Sequence, residues 1–210
     1  MRFTDRQDAG RRLGEALAPM ALESPVVLGI PRGGVIVAAE VARMLGAPLD
    51  VALVSKLRHP NQPELAIGAI GEDGGAFLHE ETAADVTEDA IFREERDRLE
   101  KLRSRARAYR AARAPVDVAG RIVILVDDGV ATGSTMAAAA RLMRAHGPAR
   151  LVIALPVAAE GAVESLRGEA DEIVCIHTPQ GLHAVCHYYE SFYETRDDDV
   201  VAALAASVAG

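Results

Sequence analysis

The sequence is poor in the features that mark several protein classes. Two cysteines, Cys175 and Cys186, are too few in 210 residues for a disulfide framework, and their spacing to the histidines is not that of a zinc site. Tryptophan is absent and aromatics make up 4% of the chain, so no interleaved aromatic set suits single-stranded nucleic acid. No apolar run approaches the roughly 20 residues of a membrane span. Charges follow Met1-Arg2-Phe3-Thr4-Asp5 where a secretory signal would carry an apolar core, which predicts a cytoplasmic protein. Basic residues are outnumbered: 23 Lys and Arg against 31 Asp and Glu give a formal charge of −8, which argues against a nucleic-acid surface over the whole protein. Two phosphate-binding loops are also missing, since there is no Gly-x-x-x-x-Gly-Lys-Ser/Thr and no Gly-x-Gly-x-x-Gly after a predicted strand.

What remains is a chain long enough for one α/β domain over residues 1–210, with half of its residues hydrophobic. Its centre is the stretch Arg121 to Val126, a branched apolar run suited to a strand buried on both faces. Good helix formers dominate Met136 to Ala145. The polar segment between them falls at the carboxyl end of a strand, where open α/β sheets bind ligands.

That segment carries two chemistries. Asp127 and Asp128 are adjacent carboxylates, suited to accept hydrogen bonds from vicinal hydroxyls or to sit near a hydrated divalent cation. Thr132, Gly133, Ser134 and Thr135 present hydroxyls and backbone N–H groups at a helix N-terminus, a ready anion site. A diol at one end and a phosphate at the other describe a ribose 5-phosphate. A turn that merely caps a helix would explain the hydroxyls, but it calls for no paired acids five residues upstream.

The chain repeats this plan. Thr4-x-x-Gln7 reads as a capping box for a helix to about Leu22, with Ala9, Leu13, Ala16, Leu17 and Met20 at helical spacing. Val26 to Ile30 is a strand, Pro31-Arg32-Gly33-Gly34 a loop, and Val35 to Leu45 a helix closed by Gly46. Arg32 puts a forked cation where Gly33 and Gly34 let the backbone approach a ligand, an arrangement fit for pyrophosphate. Leu49 to Ser55 is the next strand, and Lys56 to Glu64, with two prolines, is a basic loop that can move. Leu65 to Ile70 and Ala76 to His79 read as a hairpin. Thr87 caps a long helix, Glu88 to Ala112, with Phe92, Leu99, Leu102, Ala106 and Tyr109 on one face. Residues 91–113 hold nine basic and four acidic residues, a segment explained by i,i+4 pairs such as Glu94 with Arg98 and Asp97 with Lys101 on a solvated or subunit-facing helix. That face admits a homodimer, and nothing beside it asks for nucleic acid.

Arg150 to Leu155 and Glu172 to Ile176 are further buried strands around a helix near Glu160 to Arg167, so the βαβαβ order implies a parallel sheet with helices on both faces. Four of the eight aromatics then cluster in Tyr188, Tyr189, Phe192 and Tyr193. Asp197, Asp198 and Asp199 cap a final helix, Val200 to Val208, and are not read as a metal site.

Val123-Ile124-Leu125-Val126-Asp127-Asp128-Gly129-Val130-Ala131-Thr132-Gly133-Ser134-Thr135 resembles the phosphoribosyl-pyrophosphate (PRPP) binding motif of type I phosphoribosyltransferases. Gly129 stands where that family usually has a branched apolar residue. The resemblance implies a three-layer α/β fold with a mostly parallel central sheet and a small C-terminal hood, here residues 177–196, and a lid-bearing insertion at 57–119. It implies Mg²⁺, with Asp127 and Asp128 near it only through water. It also implies transfer of ribose 5-phosphate to a nitrogenous acceptor, a nucleobase in the first instance. Asp127 and Asp128 would then hold the ribose hydroxyls and Ala131 to Thr135 the 5-phosphate. Arg32, with Gly33 and Gly34, and the basic pair Lys56 and Arg58 would take the pyrophosphate. Tyr188, Tyr189 and Phe192 are candidate walls for the acceptor. In family members acting on 6-oxopurines a carboxylate commonly stands at the position of Ala131, which here cannot titrate. The other reading is a PRPP- or nucleotide-binding regulator that keeps the fold without turnover.

Overall fold

The structure is a computed structural model and describes residues 1–207. In chain order it contains α1 (Arg6–Leu17), a 3₁₀ turn (Ala18–Met20), β1 (Val26–Gly29), α2 (Gly33–Leu45), β2 (Leu49–Val51) and β3 (Val54–His59). β4 (Gln62–Gly71), β5 (Ala76–Leu78), α3 (Glu80–Ala83), α4 (Glu88–Ala112), β6 (Ile122–Val126) and α5 (Ser134–Ala145) follow. The last elements are β7 (Arg150–Val157), α6 (Glu160–Leu166), β8 (Glu172–His177), a second 3₁₀ turn (Val185–Tyr188) and α7 (Asp197–Ala206).

Five strands form a parallel sheet in the order β2-β1-β6-β7-β8. Strand order therefore reverses between β1 and β6, and the loops that leave these two strands diverge over one crevice, the place where such sheets hold ligands. Alternation within β6 explains its run of branched residues. Ile124 and Val126 join a core with α1, α2, α4 and α7 residues, whereas Val123 and Leu125 join one with Met136, Ala139 and Ala140 of α5 and Leu166 of α6. All four are fully buried. α1 and α2 meet closely because Gly10 has no side chain: a Cβ there would lie 2.5 Å from the carbonyl oxygen of Val37.

Beside this sheet stands a second one, antiparallel, in the order β3-β4-β5. The structure corrects the expected Leu49–Ser55 strand, which breaks at Ala52 and Leu53 as the chain leaves the parallel sheet for β3. It also corrects the expected Lys56–Glu64 loop. Lys56 and Arg58 lie within β3, and the turn is reduced to Pro60 and Asn61. Register shifts around Leu57, Arg58 and His59 relax the ladder opposite Pro63, where a missing N–H costs nothing. β4 and β5 form the predicted hairpin.

α4 has the predicted ends and its Thr87 cap. Leu102, Ala106 and Tyr109 are buried and Leu99 packs against them, but Phe92 is 65% exposed and belongs to no packed face. Three of its arginines are used within the fold: Arg98 bonds Glu94 at 2.7 Å, Arg103 the Glu72 carbonyl at 3.4 Å, and Arg110 both Asp50 and Glu72. Asp97 pairs with Arg96 in place of Lys101. At α1 the cap is Asp5, accepting from the Asp8 N–H, and the helix stops at Leu17, with Ala16 exposed. α7 begins three residues early because Asp199 accepts from the Arg196 N–H at 2.8 Å. The expected helix end at Val208 lies outside the described residues.

Candidate functional site

The crevice between the loops after β1 and β6 brings the two motifs together. Asp127 Oδ1 accepts the N–H of Asp128 at 2.8 Å, which folds the acid pair back on itself. Gly33 and Gly34 start α2 directly against it. A Cβ on Gly33 would collide with Asp128 Oδ2, and one on Gly34 would lie 2.8 Å from the Asp127 Cα. Those positions are glycine because the acids fill the space. Asp127 keeps a partly open surface but is densely surrounded, and this desolvation, followed by the charge of Asp128, holds its carboxyl well above the usual range.

Beyond the acids the loop is anchored to its neighbours, with Val130 N–H bonded to the Val157 carbonyl at 3.0 Å. Gly133 then caps α5 at φ 81°, a backbone that favours glycine. Thr132, Ser134 and Thr135 are exposed around the first turn. Lys56 Nζ donates to Ser134 Oγ, so β3 carries a cation to the turn. A cavity of about 290 Å³ opens there, lined by Lys56, Thr132, Ser134, His79, Arg141 and Ser165 among others. A larger one of about 650 Å³, bordered by α2 and α7, includes no residue of either loop, and the chemistry favours the smaller.

The other expected basic residues stand further apart. Arg32 precedes α2 at the cis Pro31–Arg32 peptide and meets Glu194 Oε1 at 3.2 Å, an exposed pair worth about 0–1 kcal/mol and easily exchanged. Arg58 is exposed, and its backbone N–H donates to Glu94; no side-chain bond joins it to the loop among the described residues.

The segment after β8 packs down onto the N-terminal residues. Phe3 pairs with Tyr189 in a parallel bridge, and Arg2 donates to the carbonyls of His187 and Tyr189 at 3.1 Å each. Tyr189 is thereby a core residue, 2% exposed, and not an open wall for an acceptor. Its hydroxyl donates to the Asp128 carbonyl at 2.5 Å, and burial, then the Asp128 charge, pushes its pKa up so that it stays a donor. Tyr188 and Phe192 remain half-buried beside it.

Two residues were invisible to sequence reasoning. Arg6 donates from Nε to Asp128 Oδ2 at 2.8 Å across 122 positions. Val185 explains Gly129: a Cβ there would lie 2.5 Å from Val185 Cγ1. The C-terminal segment thus supplies from outside the apolar bulk that the loop itself omits. Gly129→Val is expected to cost about 1–3 kcal/mol through overpacking, and Val185→Ala in the same chain to recover most of it. Thermal melts of the single and double variants would check this, and a Gly129→Val protein that melts with the wild type would contradict it.

Among the described residues no cluster of three or more His, Cys, Asp or Glu could cage a metal, and no helix is long and apolar enough to cross a membrane. A family model described as the phosphoribosyl transferase domain matches residues 8–191. TT1426 of Thermus thermophilus is 49% identical, with 98% of this chain and 99% of that one covered and a TM-score of 0.92. Rv0571c of Mycobacterium tuberculosis, which carries a provisional phosphoribosyl transferase name, is 48% identical over 204 residues. That match takes in 96% of this chain and 46% of the relative, so the chain spans about half the length of the curated relatives it matches. Purine phosphoribosyltransferase from Pyrococcus horikoshii shares the fold at 16% identity and a TM-score of 0.50, over 93% of this chain and 92% of that one.

Proposed function

The chain belongs to the phosphoribosyltransferase family, and on that premise we propose that it transfers ribose 5-phosphate from PRPP to a nitrogenous acceptor, a nucleobase, releasing pyrophosphate. One observation carries the proposal: an adjacent acid pair and a hydroxyl-rich helix turn share one short loop at the point where strand order reverses.

Asp127 and Asp128 hold the ribose hydroxyls, and the turn from Ala131 to Thr135 holds the 5-phosphate through N–H and hydroxyl groups. Arg32 can leave its exposed partner Glu194 for the pyrophosphate at little cost. Lys56, already at Ser134, brings positive charge to the phosphate side, and Arg58 reaches the pyrophosphate only if β3 closes further. The transfer passes through an oxocarbenium-like state, so the residues act by position and by stabilising charge on the departing group. Mg²⁺ fits as a partner of the substrate: two carboxylates without a protein cage suit an ion that keeps its waters and binds substrate phosphates. Bound there, it would neutralise pyrophosphate charge, with Asp127 and Asp128 reaching it through water.

The test is a release assay with purified protein, Mg²⁺, PRPP and a panel of nucleobases. Pyrophosphate released with one or a few bases is the expected result. Tight Mg–PRPP binding without release for any base would support the regulator instead.

A further inference from the structure

Arg6 is the first residue of α1 and lies far in sequence from the motif, yet its side chain is 12% exposed and makes three contacts, one with the acid loop and two with the segment at 192–193. Nε donates to Asp128 Oδ2 at 2.8 Å, Nη1 donates to the Tyr193 carbonyl at 2.7 Å, and the guanidinium lies over the Phe192 ring at 3.8 Å from its centroid. Gly33 leaves room for the pair, since a Cβ there would also lie 2.7 Å from Arg6 Nε. No basic side chain meets Asp128 Oδ1 among the described residues; besides Arg6, the side chain that reaches the Asp128 carboxyl is that of Asp127.

We propose that Arg6 is a positioning residue for the PRPP site: it pins one oxygen of Asp128 and turns the other toward the ribose hydroxyls. The inference rests on the donor reading of the acid loop given above. A carboxylate free to rotate beside the densely surrounded Asp127 would lose orientation, and ordering it on binding would cost affinity. The fork matters as well as the charge. A guanidinium can hold Asp128 and Tyr193 at once while stacking on Phe192, whereas an ammonium is a point charge on a flexible stem. One side chain thus sets both the donor carboxylate and the segment at 192–193.

Calorimetry with Mg–PRPP tests this on the full chain. Arg6→Gln is expected to weaken binding by about tenfold or more, the worth of one charge-assisted hydrogen bond, and Arg6→Lys to recover part of the loss. Because Arg6 acts through Asp128, adding Arg6→Gln to Asp128→Asn should cost nothing further, a non-additivity that a general structural role would not produce. Thermal melts establish that each variant is folded. Wild-type protein that binds Mg–PRPP while folded Arg6→Gln binds equally well would overturn the inference alone. Fully additive losses would overturn it too. Wild-type protein that binds no Mg–PRPP would overturn the proposed function, and the inference with it.

Discussion

Asp127→Asn and Asp128→Asn should each weaken Mg–PRPP binding by about ten- to a hundredfold, since a hydrogen bond to a charged acceptor is worth roughly 1.5–3 kcal/mol. Calorimetry would measure the loss, with circular dichroism to show an unchanged fold. The two variants should part company in stability. Burial, then the charge of Asp128, raises the Asp127 carboxyl well above its unfolded value, so the native state holds a proton that the unfolded state has already lost. Stability linked to this group is therefore full below about pH 4, near the ordinary carboxylate value, and is lost as pH rises through the raised native value. Asn at 127 keeps the acceptor for the Asp128 N–H and removes the poorly solvated charge. The Asp127→Asn protein should melt above wild type at pH 7, and the gap should close toward pH 4. A melting difference that does not vary with pH would remove the claim that Asp127 is held against its charge.

Asp50→Ala is expected to be among the most damaging single changes away from the crevice, at about 3–5 kcal/mol for removing one partner of a buried pair. Asp50 is 3% exposed in β2, and it accepts from Arg110 Nη1 at 2.5 Å, from the Val116 N–H at 2.9 Å and from the Val51 N–H at 2.7 Å. Arg110 also bonds Glu72, in the turn just after β4. One carboxylate therefore joins the parallel sheet, the long helix and the smaller sheet. Chemical denaturation would report the loss. A midpoint within a few tenths of a kcal/mol of wild type would mean that Glu72 alone satisfies Arg110. Two further clasps, His146 to Asp73 at 2.9 Å and Lys56 to Ser134, tie the smaller sheet to α5.

Much of this was legible in the chain because the signals are local. Val123 to Val126 reads as buried on both faces, Thr87 and the period of α4 give that helix its ends, and the Gly-rich turn at 71–75 marks the hairpin. The acid pair and the hydroxyl turn were legible for the same reason, lying within nine consecutive residues, Asp127 to Thr135. Where local signals compete with tertiary ones, reading fails. Pro60 and Pro63 mark a loop by chemistry, but bulged pairing with β4 absorbs them. Val51 to Val54 is an unbroken apolar run that hides the passage from one sheet to the other. Phe92 has helical spacing but nothing above it to pack against. Arg6, Val185 and Tyr189 carry no local mark, because what defines each is a partner between 56 and 187 positions away.

The separation of Arg6 from its partners also bears on how the protein is made. The contact from Arg6 to Tyr193 spans 187 positions, and that from Tyr189 to Asp128 spans 61. A ribosome that has released β1 to β7 has supplied the centre of the sheet, both loops and Arg6, but not Tyr189, Phe192 and Tyr193, which back Arg6 and the acid loop. Such distant contacts close late, because chain entropy must be overcome first. During synthesis the nascent chain should thus pass through a stage with an ordered sheet and an acid pair that Arg6 meets without its later backing, and competence to hold a sugar phosphate arrives with residues 189–193.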